Sequence, residues 1–324
     1  MMEHLNFIDI AKGIGIILVL LSHSVLPESM FFSNLFFIPL FFVLSGYTFT
    51  TLSLKKKVCR LLKPYFFFNF LIVVMMYVSN MRDISLNQLL GVLYSRYAIV
   101  PLNIASDNQI LMNLGNSPTW FLTSMFTAFL ALSITLKIQD KHRWVILVVY
   151  IAATYFMDRL PVLLPWSFDI AFLMSLFIRF GMYIKRGDFI SLNWYYVVLM
   201  TLIYAFLAYS NGYCNISVRD FGNSIVFYLL GGMVGSYLVM RLSLILDKTC
   251  LRNFFVVIGK NSMVIFCIQL PLLFVAQKIF LPITMLLPDP IKMPMLSVFQ
   301  VIFALVVGCG ISRVLNRYLP FTLK

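Results

Sequence analysis

Long apolar segments separated by short polar connections make up almost the whole chain of 324 residues. The hydrocarbon core of a bilayer is about 30 Å thick, and about twenty apolar residues in a helix cross it. Ten apolar runs of suitable length predict ten such helices, at 7–26, 31–54, 64–79, 118–136, 144–157, 168–184, 192–210, 221–240, 253–274 and 295–312. We therefore expect an all-α integral membrane protein, a bundle of about ten transmembrane helices that forms one domain over residues 1–324.

Two apolar regions fit this pattern poorly. Residues 80–117 contain an apolar stretch at 86–101, which we interpret as an amphipathic or re-entrant segment on the outer side of the membrane. Residues 275–294 are interrupted by four prolines. Because proline disrupts helices, we expect an irregular outer loop that lies against the bundle.

The basic residues indicate the orientation of the chain. Residues 55–63 carry five cations within nine positions, and loops on the cytoplasmic side of a membrane retain Lys and Arg. This loop therefore predicts a cytoplasmic N-terminus. An odd number of spans would leave Arg313, Arg317 and Lys324 outside, so the same rule favours an even number and a cytoplasmic C-terminus.

The composition excludes several classes of protein. Hydrophobic residues make up 61% of the chain and charged residues only 11%, whereas soluble domains are about 25% charged. The net charge of +13 is dispersed among apolar runs and forms no continuous basic stripe, so we expect membrane lipid and not nucleic acid as a partner. The five cysteines are widely scattered, and no metal-binding, P-loop or GxSxG motif is present, so we expect no metal.

The first predicted span carries three ionisable residues, Asp9, Lys12 and His23. Such residues cost several kcal/mol in a membrane unless they are paired or lie in a wet cavity. Lys12 and His23 are eleven positions apart, which places them on one helix face and about 16 Å apart along the axis. Asp9 lies one turn before Lys12, close enough for an ion pair. This pair could simply anchor the helix end, or Lys12 could provide a cation for a substrate.

His23 is the one histidine within a predicted span, between Ser22 and Ser24. It could donate a hydrogen bond across the bundle, as polar residues of membrane helices often do. Alternatively, imidazole titrates near pH 6.5, so a neutral ring could take a proton from a hydroxyl group at neutral pH. The sequence leaves both roles open.

A second group of cations precedes the third predicted span. Arg60 and Lys63 lie one turn apart, and Pro64 follows directly. They could act only as a cytoplasmic anchor. They could also bind the phosphate groups of a cytoplasmic donor, because Arg and Lys form charge-assisted hydrogen bonds with phosphate.

Several segments carry a resemblance to a known family. The most specific matches are residues 7–23 (FIDIAKGIGIILVLLSH), 39–47 (PLFFVLSGY) and 60–64 (RLLKP). Shorter segments that are similar to the family's motifs are 118–122 (PTWFL), 165–169 (PWSFD) and 259–262 (GKNS). The chain resembles the membrane-bound acyltransferase-3 family, the bacterial sugar O-acetyltransferases. Lys12 and Lys63 stand where relatives often have arginine, and Phe37 and Gln269 where some relatives have histidine.

The resemblance implies an enzyme of the bacterial inner membrane that uses acetyl-CoA as donor. The acceptor would be a hydroxyl group of a cell-surface polysaccharide, such as an O-antigen, or of a lipid-linked sugar. Lys12, Arg60 and Lys63 would bind the donor. His23 would act as general base or would itself carry the acetyl group, and Asp169 is a second catalytic candidate, in contact with the sugar.

Two further questions concern the small residues and the class of function. Gly13, Gly15 and the Ser45–Gly46 pair would allow close helix packing or leave space for the pantetheine arm of CoA. Intramembrane charges and small residues also occur in transporters. A transporter or flippase of a lipid-linked saccharide is therefore the alternative, and a scaffold without catalytic activity is a weaker one.

Overall fold

The computed structural model describes residues 6–26, 32–50, 54–78, 86–96, 99, 117–136, 142–187, 190 and 193–320. These residues form helices and connecting turns, and no strand occurs among them, so the predicted all-α class is confirmed. The eleven α-helices are α1 (Asn6–Ser22), α2 (Phe37–Tyr47), α3 (Leu54–Val78), α4 (Leu86–Tyr94), α5 (Trp120–Thr135), α6 (Arg143–Asp158), α7 (Ala171–Gly187), α8 (Trp194–Asn211), α9 (Ile225–Leu246), α10 (Arg252–Thr284) and α11 (Asp289–Tyr318).

Each of the ten predicted spans overlaps one of these helices, although several helices extend beyond the predicted bounds. By length and composition, five helices within the described part of the chain suffice to cross a bilayer: Cys59–Val78, Pro165–Gly187, Ile225–Leu246, Arg252–Thr284 and Asp289–Tyr318. The helical, membrane-spanning character of the protein is thereby supported. A count of ten spans and cytoplasmic termini stay predictions.

The region 80–117 contributes one short helix to the described residues. This helix, α4, has nine residues, which corresponds to about 14 Å at 1.5 Å per residue. It is therefore too short to cross a bilayer core of about 30 Å. The predicted apolar segment at 86–101 is thus helical over its first nine residues, and residues 97, 98, 100 and 101–116 lie outside the described part.

The prediction of an irregular outer loop over residues 275–294 is wrong. Helix α10 continues through Pro271 and Pro282 to Thr284, and α11 begins at Asp289, with Pro290 in its first turn. Proline is well tolerated there because the first N–H groups of a helix have no partner within the helix. Proline inside membrane helices is also tolerated where neighbouring helices surround the backbone.

Helices α1 and α10 are in backbone contact. A Cβ atom added at Gly13 of α1 would overlap the backbone of Phe255, and one added at Gly259 of α10 would overlap the carbonyl oxygen of Asp9. Glycine at both positions therefore permits an approach that any larger residue would prevent. Lys12 and Lys260 are the sequence neighbours of these two glycines. The close approach of α1 and α10 therefore brings both lysines to the same cavity.

A second close contact joins α2 to α7. A Cβ atom at Gly46 would overlap the carbonyl oxygen of Ile178, and one at Gly181 would overlap that of Val43. Gly13 and Gly46 therefore serve close packing and do not leave space for a pantetheine arm. Gly15 lies instead against the side chains of α2.

Replacement of Gly181 by alanine tests this packing. We expect Gly181→Ala to lower the free energy of unfolding by about 1–3 kcal/mol, because the added methyl group would force α2 and α7 apart. The measurement is the thermal unfolding midpoint of the purified protein in detergent. The matched control is Gly310→Ala in α11, since no atom lies within 4 Å of a Cβ at that position. Equal midpoints for the two variants would contradict the proposed contact.

Candidate active site

A cavity of about 570 Å³ lies among α1, α2, α3, α5 and α10. Its size is within the range of about 300–1,000 Å³ that is typical of small-molecule sites. On α1 the lining runs from Asp9 to Val19, a distance of about 15 Å along the helix axis. The cavity is therefore elongated along α1, with two chemically different ends.

One end of the cavity is cationic. Lys12, Arg60 and Lys260 line it from three different helices, and among the described residues the only carboxylate in the lining is that of Asp9. The Nζ atom of Lys12 lies 3.2 Å from Oδ1 of Asp9, which is the ion pair that the sequence predicts. Arg60 and Lys260 are exposed. Three cations against one carboxylate favour an anionic ligand at this end.

The rest of the cavity is largely apolar and aromatic. Phenylalanine rings of α2, α5 and α10 line it, together with Ile16 and Val19 of α1. Hydroxyl groups are provided by Ser45, Thr48 and Ser262. Such a site suits a ligand with one anionic end and a slender, less polar body.

His23 lies one turn beyond the last cavity residue of α1. Its Nδ1 atom is 2.8 Å from the carbonyl oxygen of Val19 and 3.1 Å from Oγ of Ser22. A carbonyl oxygen only accepts hydrogen bonds, so Nδ1 carries the proton and the neutral ring keeps its lone pair on Nε2. His23 is exposed, so its ring is available to a substrate.

Helix α11 holds the turn that carries His23. The Oγ atoms of Ser24 and Ser297 are 2.7 Å apart, and the backbone N–H of Val25 donates to Oε1 of Gln300 at 3.2 Å. Gln300 also donates from Nε2 to the carbonyl oxygen of Leu273 in α10, at 3.1 Å. These buried contacts tie the His23 turn to both α10 and α11.

The structure separates the predicted site residues. Lys12 and Arg60 meet in the cavity, whereas Lys63 is exposed on α3 and does not line it. His23 does not line the cavity and lies one turn beyond Val19, the last lining residue of α1. Asp169 lies in none of these places.

Asp169 is fully buried in an ion-pair cluster. Its Oδ1 atom accepts a hydrogen bond from Nη2 of Arg96, and its Oδ2 atom lies 3.4 Å from Nη1 of Arg219. Arg96 also donates to the carbonyl oxygens of Leu164 and Ser217, at 3.1 and 2.7 Å. The cluster joins the end of α4, the turn before α7 and the connection between α8 and α9. These contacts favour a structural role, and the catalytic role of Asp169 stays a prediction.

Sequence reasoning missed two groups of residues. Lys260 was recognised only as part of a short motif, although a lysine within a predicted span was a usable signal. Arg96 and Arg219 are separated from Asp169 by 73 and 50 positions. Nothing in the local pattern indicates their pairing.

Comparison with known families shows to which family the chain belongs. The acyltransferase domain of the acyltransferase-3 family matches residues 5–314 of the chain. The match covers nearly the entire chain, so the protein belongs to the acyltransferase-3 family and is a membrane acyltransferase. No curated protein and no solved structure matches it.

Removal of the Asp169 carboxylate distinguishes a structural from a catalytic role. We expect Asp169→Ala to lower the free energy of unfolding by about 3–5 kcal/mol, because it removes the carboxylate that pairs with buried Arg96 and leaves Arg219 with Asp158 as its ionic partner at 3.7 Å. The matched control is Asp289→Ala, which breaks the exposed pair with Lys292 and should leave the unfolding midpoint nearly unchanged, because exposed ion pairs contribute little to stability. Thermal unfolding in detergent measures both. An unfolding midpoint that is unchanged in Asp169→Ala, with activity lost, would instead establish the catalytic role.

Proposed function

We propose that the protein is an O-acetyltransferase of the bacterial inner membrane. It transfers acetyl from acetyl-CoA to a hydroxyl group of a cell-surface polysaccharide or lipid-linked sugar. Family membership supports acyl transfer in general. The observation that carries the finer proposal is the cavity itself, which is cationic at one end and reaches the turn of His23 at the other.

The cationic end fits the phosphate groups of CoA. Arg60 and Lys260 are exposed there, and Lys12 is partly neutralised by Asp9. Charge-assisted hydrogen bonds to phosphate are about twice as strong as neutral ones. Lys63 lies on α3 one turn beyond Arg60 and does not line the cavity. Any contact between Lys63 and the donor would therefore be made outside the cavity, next to its cationic end.

His23 provides the base. In the direct route, the Nε2 atom takes the proton of the acceptor hydroxyl while its oxygen attacks the thioester carbonyl carbon. The new C–O bond forms, the C–S bond breaks, and the imidazolium returns the proton to the CoA sulfur. In the other route, Nε2 attacks the thioester carbonyl carbon, the C–S bond breaks and CoA leaves as the thiolate. The acceptor hydroxyl then attacks the acyl carbon, the C–N bond breaks, and the hydroxyl proton goes to the CoA sulfur. The hydrogen bond from Nδ1 to Val19 fixes the tautomer that both routes require.

The positions of the two ends suit donor and acceptor on opposite sides of the membrane. With the predicted orientation, the end with Lys12 faces the cytoplasm, where acetyl-CoA is made. The His23 turn then lies towards the outer side, where a surface glycan is reached. A lipid-linked sugar in the membrane would approach the same turn laterally.

Replacement of His23 tests the proposal. We expect His23→Ala to lower acetyl transfer by about 10²–10⁴-fold, because it removes the general base, while insertion into the membrane is unchanged. The measurement is the acetyl content of the cell-surface glycan by mass spectrometry. His142→Ala is the matched control, since His142 is exposed at the start of α6 and distant in sequence from the cavity residues.

Two outcomes would contradict the proposal. Full acetylation by His23→Ala would remove His23 from the mechanism. Movement of a lipid-linked saccharide across the membrane without consumption of acetyl-CoA, together with an unchanged glycan mass, would favour the transporter. Family membership makes acyl transfer the expected result.

Neutralisation of single cations tests the donor site. We expect Arg60→Gln and Lys260→Gln each to raise KM for acetyl-CoA by about ten-fold or more, because each loses a hydrogen bond to a charged phosphate, with a smaller change in kcat. Lys248→Gln is the control, because Lys248 is an exposed lysine between α9 and α10 that does not line the cavity. Lys63→Gln measures the contribution of the cation outside the lining. Unchanged KM values in both cavity variants would refute this donor site.

A further inference from the structure

Three phenylalanine rings meet within the lining of the cavity. Phe121 of α5 lies between Phe41 of α2 and Phe266 of α10, with ring centroids 5.7 and 5.3 Å apart. Both contacts are edge-to-face, which is a favourable geometry for aromatic pairs. All three rings line the cavity. At these spacings the rings touch, and no room for another group is left between them.

This ring cluster lies between the cationic end and the His23 turn. On α10 the lining begins with Gly259 and Lys260 and ends with Phe266. On α1 it begins with Asp9 and ends with Val19, whose carbonyl oxygen accepts the hydrogen bond from His23. Val19 and Phe266 are thus the lining residues farthest from the cations on their helices, and Phe121 packs directly on Phe266.

We propose that the Phe41–Phe121–Phe266 cluster restricts the transferred acyl group to acetyl. This inference rests on the proposed function, because it assumes that CoA phosphates bind near Arg60 and Lys260. The thioester then points along the cavity towards the rings, and the acyl group must pass or displace them to meet His23. An acetyl group requires the smallest displacement. Each further methylene has to be accommodated in an already packed cluster, and overpacking is unfavourable.

The expected selectivity follows from the size of a methylene group. One extra methylene in an apolar pocket changes kcat/KM by about 10–200-fold. We therefore expect the wild-type protein to transfer acetyl at least about ten-fold faster than butyryl. A smaller side chain at position 121 removes the central ring of the cluster and should lower that ratio by about ten-fold or more.

The experiment uses the full chain in membranes of the cells that make it, which contain the native acceptor. Radiolabelled acetyl-CoA and butyryl-CoA are supplied separately, and the label in the glycan and lipid fractions is counted. The variants are Phe121→Ala and the gentler Phe121→Leu. The matched control is Phe177→Leu, because Phe177 is fully buried and packs on Tyr228 but does not line the cavity.

The outcomes separate this inference from the proposed function. A wild-type protein that transfers neither acyl group would overturn the proposed function and the inference with it. A wild-type protein that transfers both at equal rates, or Phe121 variants with an unchanged acetyl-to-butyryl ratio, would overturn only the inference. A lowered ratio in the Phe121 variants, with the wild-type ratio in Phe177→Leu, supports it.

Two further variants cover the case in which both Phe121 variants fail to fold. Phe41→Leu and Phe266→Leu open the same cluster from α2 and α10, and either should lower the ratio. If all the ring variants lose transfer of both acyl groups while Phe177→Leu retains it, the rings support the fold and not the selectivity, and the inference is overturned.

Discussion

The backbone contact between α1 and α10 is the constraint on which the site depends. Gly13 and Gly259 let the two helices approach until a side chain no longer fits between them. This approach brings Lys12 and Lys260 to one end of the cavity, although 248 positions separate them in the sequence. A larger residue at either glycine would force the two helices apart. It would thereby also move Lys12 and Lys260, two of the three cations of the cavity, away from each other. The charge of the site is therefore a product of close packing.

The cavity combines two environments that membrane proteins usually keep apart. Exposed cations occupy one end, where water reduces the cost of their charge. Aromatic rings line much of the rest, and the imidazole of His23 lies one turn beyond Val19, the last lining residue of α1. The contacts of Ser297 and Gln300 hold the imidazole turn to the neighbouring helices. Position and chemistry of His23 are thus set by different helices: α11 fixes the turn, and a carbonyl oxygen of α1 fixes the tautomer.

The Asp169 cluster shows a different use of charge. Two buried arginines share the Asp169 carboxylate, and Nε of Arg219 also lies 3.7 Å from Oδ1 of Asp158. Further N–H groups of both arginines donate to backbone carbonyl oxygens of connecting segments. Burial of ions is unfavourable unless each is paired and hydrogen-bonded. Within the described residues, these ionic contacts and hydrogen bonds therefore hold together the end of α4, the segment after α6 and the connection between α8 and α9.

The sequence by itself determined the helices and their local pairs. Apolar runs of suitable length indicate each of the ten segments, and the spacing of Asp9 and Lys12 predicts their ion pair, because both depend only on neighbours a few positions apart. The interpretation of the prolines in 275–294 was wrong, since proline at a helix start or within a packed membrane helix is tolerated. Only the tertiary structure decided that Lys260 and Arg60 line the same cavity, that Asp169 pairs with Arg96 and Arg219, and that rings from three helices meet in the cavity lining. These partners lie far apart in the chain, and helix packing alone brings them into contact.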